Sequence, residues 1–141
     1  MKVLILNGPN LNLLGRREPE IYGSESYETL MAKVQHFAAE RGHACDVFQT
    51  NHEGVLVDKI QAAEGVYDGI VINPAAYTHY SIAVLDALRS VSVPAVEVHL
   101  SDISVRESYR QLSVTKDGCI AQIMGRGVQG YLDAITLLEE A

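Results

Sequence analysis

Five short apolar runs punctuate this chain, and segments of helical period separate them. That alternation restricts the fold more than any other feature. The runs are Lys2–Leu6, Ala44–Gln49, Gly69–Asn73, Ala95–His99 and Cys119–Met124. Continuous apolar stretches of this length suit parallel strands buried on both faces. Between them the apolar spacing turns helical. Leu30, Val34, Phe37 and Ala38 recur on one face of Ser26–Arg41, and Gly42 supplies its stop. Leu56, Ile60 and Ala63 do the same within Val55–Glu64. Tyr80, Ala83, Val84, Ala87 and Leu88 form a stripe over His79–Val91. Leu100–Ser113 reads as a loop with a short helix over Ser104–Arg110, and Val128–Glu139 closes the chain with Val128, Tyr131, Leu132 and Ile135 inward.

Strands alternating with helices imply an α/β protein: a three-layer, five-stranded parallel sheet with helices on both faces. Right-handed crossovers favour the flavodoxin-like strand order 2-1-3-4-5. At 141 residues, 48% of them apolar, the chain reads as a single domain, residues 1–141, with no internal linker or repeat. No apolar stretch approaches a membrane span, and one lysine with four apolar residues before Asn7 is too short for a signal peptide. Net charge is −7 with no basic run and no tryptophan, which argues against nucleic acid as a partner. Cys45 and Cys119 both fall in expected strands and read as buried thiols, fitting a reducing, cytoplasmic setting. No Cys/His spacing suggests a structural metal.

Ligands of open α/β sheets bind beyond the carboxyl ends of the strands. Asn7 and Asn10 follow the first strand, Asn51 and His52 the second, Asn73, Thr78 and His79 the third, and His99 and Ser101 the fourth. Asparagine and histidine thus gather along one edge. His99 is the candidate for proton transfer, with a hydrogen-bonded core histidine as the alternative. His36 and His43 lie on or after the first helix and are expected at the surface. Residues 15–24 carry Arg16, Arg17, Glu18 and Tyr22 between Gly15 and Gly23, with neither helical nor strand period, and read as a mobile lid. A guanidinium near Tyr22 would favour its phenolate, a potential general base. Gly125-Arg-Gly127-Val-Gln-Gly130 matches a dinucleotide fingerprint in letters only. It follows the last strand and lacks the acidic residue about twenty positions on, so it reads as capping and packing glycine. No G-x-S-x-G elbow supports a hydrolase.

Several blocks resemble type II 3-dehydroquinate dehydratase almost end to end. They are Asn7-Gly-Pro-Asn-Leu-Asn-Leu-Leu-Gly15, Arg17-Glu-Pro19 with Tyr22-Gly23, Gln49–Gly54, and Ile72-Asn-Pro74. Tyr77-Thr-His79 with Asp86-Ala-Leu88, Glu97-Val-His-Leu-Ser101 with Arg106-Glu107, and Gly125-x-Gly127 with Gly130-Tyr131 complete the set. The resemblance implies dehydration of 3-dehydroquinate to 3-dehydroshikimate, in the shikimate pathway or quinate breakdown, by anti elimination through an enolate without cofactor or metal. It implies that Tyr22 is the base, Arg17 its activator, Asn10 the holder of a water at the enolate oxygen, and His99 the general acid. Asn73, His79, Arg110 and the backbone N–H groups of Leu100 and Ser101 would hold substrate. Asp86 would reach a neighbouring subunit's site in a dodecamer built of trimers. The chain departs from the family pattern at Tyr80, Asp102, Ser104 and along Ser108–Val114. Asp102 could be protonated, turned away or paired with Arg106. The four lysines, Lys2, Lys33, Lys59 and Lys116, do not directly follow a strand's carboxyl end, which disfavours a Schiff-base dehydratase. A flavin or nucleotide domain, and an inactive relative acting as a sensor, are the competing readings.

Overall fold

The computed structural model of the chain describes residues 1–16, 19–22 and 24–141, and of Pro19 and Tyr22 the backbone only. Strands β1 (Lys2–Asn7), β2 (Ala44–Gln49), β3 (Gly69–Asn73), β4 (Ala95–His99) and β5 (Ala121–Met124) form one parallel sheet. Its order is β2-β1-β3-β4-β5, as the alternation required. Every residue of β3 and β4 is buried, while the edge strands β2 and β5 are largely half-buried. The central runs are therefore largely apolar for a physical reason: helices cover both of their faces.

Among the described residues five α-helices alternate with the strands: α1 (Pro19–Tyr22, a single turn), α2 (Tyr27–Glu40), α3 (Glu53–Ala62), α4 (Ile82–Ser90) and α5 (Val128–Glu140). Helices α2 and α5 pack Leu30, Val34, Tyr131 and Ile135 on Val3, Ile5, Val71, Val96 and Val98. Helices α3 and α4 pack Leu56, Ile60, Val84 and Leu88 on Leu4, Leu6, Ile70, Ile72 and Ala95. Alternate residues of each strand thus serve opposite layers. Ser26 Oγ accepts from Thr29 N at 3.1 Å and caps α2. Gly127, at φ +55°, caps α5, and Gly130 lets that helix approach β4, since a Cβ there would lie 3.2 Å from Val98 Cγ1. Residues Gly125–Gly130 are thus capping and packing positions.

Local differences from the sequence reading have local causes. Helix α4 starts at Ile82 because Ser81 Oγ accepts from Val84 N at 3.1 Å. Tyr80 precedes the helix and is 62% exposed, Ala83 faces outward, and the buried stripe is Val84, Leu85, Ala87 and Leu88. The expected helix over Ser104–Arg110 is instead two 3-10 turns, Ile103–Val105 and Ser108–Arg110, separated by extended backbone at Arg106. Strand β5 starts at Ala121, because Cys119 closes a 3-10 turn over Thr115–Gly118 and lies outside the strand. His43 is not a surface residue. Its side chain is 10% exposed, with Nε2 2.6 Å from Glu139 Oε2 and Nδ1 3.1 Å from the N-terminal ammonium. His36 is exposed and pairs with Glu40. Cys45 and Cys119 are free thiols, each partly buried, and burial pushes Cys45 up to about 11. No described helix is long and apolar enough to cross a membrane.

Candidate active site

The carboxyl ends of β1, β3 and β4 open onto a cavity of about 150 Å³. Asn10, Asn73, His79, His99, Leu100, Ser101 and Arg110 all line it, together with Arg106. Asp86 does not line this cavity; it lies exposed on α4. Arg17 lies outside the described residues, as does the side chain of Tyr22, so their expected roles carry forward as proposals.

The wall formed after β1 is held from below. Gly8 N donates to Asn73 O at 2.8 Å, and a Cβ on Gly8 would sit 2.5 Å from Pro74 O, so only glycine fits that approach. With this N–H engaged inside the fold, the turn offers poor support for the phosphate cradle that a flavin or nucleotide would need. Asn10 has φ +69°, a left-handed conformation that asparagine tolerates, and its N–H donates to Asn51 Oδ1 at 3.0 Å. Gln49 Nε2 donates to that same Oδ1 at 3.1 Å and to Gly8 O at 3.1 Å. Gln49 and Asn51 therefore support Asn10 without entering the cavity.

Asn73 is fixed at both ends. Its Oδ1 accepts from Ala75 N at 3.1 Å, and its Nδ2 donates to Tyr131 Oη at 3.1 Å. Tyr131 in turn donates to Asn7 Oδ1 at 2.6 Å. Ala75, another lining residue, has φ +52°. For alanine this is a strained backbone of the kind that clusters at functional sites.

His99 is the best-supported side chain of the cavity. Its Nε2 lies 2.7 Å from Glu97 Oε2, two residues earlier on the same face of β4. Glu97 is fully buried, and its Oε2 also accepts from Thr78 Oγ1 at 2.8 Å, Ser113 Oγ at 2.9 Å and Gln122 Nε2 at 2.7 Å. Thr115 Oγ1 donates to Oε1. Burial alone would push this carboxyl up, but the hydrogen bond and charge of His99 and the hydroxyls of Thr115 and Thr78 outweigh it and bring Glu97 down to about 2. Glu97 thus stays a carboxylate and can only accept, so His99 Nε2 carries a hydrogen and Nδ1 is the nitrogen left for the cavity. His79 is held the other way round: its Nδ1 lies 2.8 Å from the Leu112 carbonyl, which requires the hydrogen on Nδ1.

Two arginines reach the cavity. Arg106 donates from Nη1 to Ser101 Oγ at 3.4 Å, and Arg110 Nε lies 3.1 Å from Glu107 Oε2, which is also 3.7 Å from Arg106 Nε. Asp102 is not among the residues that line the cavity. Its Oδ1 accepts from Ser104 N at 2.9 Å and Ser104 Oγ at 2.6 Å, capping a 3-10 turn. Sequence reasoning overlooked Arg106 as a lining residue and Glu97 as the partner of His99. Glu97 had a visible signal, a lone charge inside an apolar run, two positions from a histidine. Among the described residues no three His, Cys, Asp or Glu side chains gather to hold a metal ion.

A flavodoxin-like α/β domain with histidines, asparagines and guanidinium groups around a switch-point cavity is built to hold a small polar anion beside groups able to move a proton. The family model for class II dehydroquinase matches residues 1–139. A 3-dehydroquinate dehydratase of Clostridium acetobutylicum is 51% identical over 139 residues, covering 99% of this chain and 96% of that one. Another from Lachnospira eligens is 53% identical, covering 96% and 93%. The crystal structure of a type II dehydroquinase from Butyrivibrio crossotus superposes with a TM-score of 0.97 at 50% identity, covering 99% and 97%. The chain belongs to the class II dehydroquinase family.

Proposed function

We propose that this chain dehydrates 3-dehydroquinate to 3-dehydroshikimate by anti elimination through an enolate, each step carried by its own side chains. The dehydratase activity itself follows from membership of the family. In the proposed mechanism the Tyr22 phenolate, favoured by Arg17, removes the proton beside the ketone. The electron pair moves into an enolate, whose oxygen is met by a water held at Asn10. Collapse of the enolate breaks the C–O bond, and His99 gives the Nδ1 proton to the departing hydroxyl, which leaves as water. Asn73, His79, Arg110 and the backbone N–H groups of Leu100 and Ser101 hold the hydroxyls and carboxylate. The observation that carries this reading is the Glu97–His99 pair at the cavity wall, a buried carboxylate 2.7 Å from His99 Nε2 that holds the ring with Nδ1 left for the cavity.

Three further parts of the proposal extend beyond the single chain. Residues 15–24 act as a lid over the cavity. Asp86, exposed on α4, completes a neighbouring subunit's site, within a dodecamer built of trimers. The enzyme works in the cytoplasm, on a pathway intermediate, with no cofactor, nucleic acid or membrane partner. The test is a spectrophotometric assay that follows the ultraviolet absorbance of the conjugated enone product, repeated with borohydride and with a chelator. Turnover insensitive to both is expected. Loss with borohydride would overturn the lysine-independent mechanism, and loss with chelator the metal-free one.

A further inference from the structure

The segment Leu112–Thr115 has no part in the mechanism above, yet it contacts the machinery behind both cavity histidines. The Leu112 carbonyl accepts from His79 Nδ1 at 2.8 Å. One residue on, Ser113 Oγ donates to Glu97 Oε2 at 2.9 Å, and Thr115 Oγ1 donates to Glu97 Oε1. Between them, Val114 N donates to the Thr78 carbonyl at 2.7 Å, which fastens the segment to the turn that bears His79. Both hydroxyls are buried: Ser113 is 5% exposed and Thr115 fully buried. A buried hydroxyl needs a partner, and here each directs its one hydrogen at the carboxylate.

The two carboxylate oxygens are not held alike. Oε2 is shared among Thr78, Ser113, Gln122 and His99, whereas Thr115 is the recorded donor to Oε1 among the described residues. The terminal torsion of a glutamate is broad and weakly restrained by its own rotamer preference, so the donors must set it. The Thr115 hydroxyl on Oε1 anchors the far oxygen, opposite the Oε2 cluster. The carboxylate plane is then fixed, and with it the direction in which Oε2 meets His99 Nε2.

We propose that Thr115 and Ser113 are positioning residues of the dehydration: they lock the Glu97 carboxylate, and Glu97 in turn holds the His99 ring with Nδ1 toward the cavity. This inference rests on the reading of His99 as the general acid. Neither hydroxyl touches substrate, so their loss acts on turnover and leaves substrate affinity in place. His79 serves as an internal control, because its bond runs to a backbone carbonyl that a side-chain substitution at position 115 leaves intact.

The experiment compares Thr115→Val, which removes the hydroxyl at nearly constant shape, with Thr115→Ser, which keeps it, in the full-length enzyme. Thr115→Val should lower kcat about tenfold or more, part of the ~10²–10⁴-fold that a general acid contributes. KM should stay within about twofold, and Thr115→Ser should recover most of the loss. Solid-state 15N spectra of histidine-labelled enzyme should show the His99 ring nitrogens shifted in Thr115→Val and those of His79 unmoved. Ser113→Ala should act in the same direction and keeps the test alive if Thr115→Val does not fold. Wild-type kcat in both variants, a loss that Thr115→Ser does not recover, or a change confined to KM would overturn the proposal. His99→Ala separates the two levels. If it keeps wild-type kcat, the acid assignment fails. If it is inactive while Thr115→Val and Ser113→Ala turn over normally, the positioning role alone fails.

Discussion

Replacing Glu97 with glutamine removes one charge while keeping the shape of the side chain, and the same contacts give the cost by two routes. The first counts contacts. Thr78, His99, Ser113 and Gln122 all direct hydrogens at Oε2, and Thr115 directs one at Oε1. A hydrogen bond to a charged acceptor is worth about 1.5–3 kcal/mol and a neutral one about 1. If the amide oxygen takes the Oε2 place, four bonds lose their charge assistance, about 0.5–2 kcal/mol each and so roughly 2–8 kcal/mol in total. The opposite orientation is worse, since an NH₂ would then face the Gln122 amide and the His99 Nε2 hydrogen, neither of which accepts. The second route uses titration. Glu97 falls from an ordinary value of 4.5 to about 2 on folding, so its ionised form contributes about 3 kcal/mol at neutral pH that a neutral isostere lacks. The titration figure of about 3 kcal/mol falls within the contact range and is a large share of a typical ~5–15 kcal/mol folding free energy. Urea unfolding at pH 7, followed by far-ultraviolet circular dichroism at matched protein concentration, reads it directly. A double-mutant cycle with Thr115→Val sharpens the test. In the wild-type background that change removes a charge-assisted bond, and in the Glu97→Gln background a neutral one. The combined loss should therefore be smaller than the sum by about 0.5–1 kcal/mol. Glu97→Gln within about 0.5 kcal/mol of wild type, or strict additivity in the cycle, would refute the reasoning.

Other outcomes follow from the same site. Tyr22→Phe should abolish turnover while calorimetry still detects substrate binding; unchanged turnover would remove the base assignment. His99→Ala should cost kcat about 10²–10⁴-fold in the enone assay, and a smaller loss would place the acid elsewhere. Trypsin should cut after Arg16 or Arg17 in the free enzyme and be slowed by substrate analogue, whereas equal cutting would argue against lid closure. Because the folded-state value of Glu97 lies below its unfolded one, its stabilisation is complete above about pH 4.5 and is lost as pH falls toward about 2. The urea midpoint should drop across that window, and drop less in Glu97→Gln; parallel curves would contradict the linkage.

The strand order was legible because the central runs, Lys2–Leu6 and Gly69–Asn73 above all, are too short for helices and apolar without alternation. Asn73, His79 and His99 were legible as site residues because topology brings the carboxyl ends of β3 and β4 together whatever the loops do. What escaped was set by partners distant along the chain. Periodicity carried the α4 stripe back through Tyr80, since nothing local announces that Ser81 caps the helix while donating to Glu53 Oε2, 28 residues earlier. His43 looked like surface because Glu139 and the N-terminus, which enclose it, lie at the chain's two ends. Tyr131 read as plain core, and it is fully packed. Its hydroxyl nonetheless bonds Asn7, 124 residues away, and fixes Asn73.

A net charge of −7 is compatible with an anion site, and the reason is one of range. A chain at −7 should repel a carboxylate substrate, but charges beyond a Debye length of about 8–10 Å are largely screened. Within that range the cavity presents Arg106, Arg110 and two histidines. The carboxylates nearest to them are already engaged. Glu107 sits between the two guanidiniums, and Asp102, a departure from the family pattern, has its Oδ1 taken by the donors of Ser104. Glu97 stands behind His99, inside a ring of four other donors. Its charge is therefore met by those donors and by the His99 Nε2 hydrogen rather than facing the cavity. An acidic protein can in this way hold an anion beside a carboxylate.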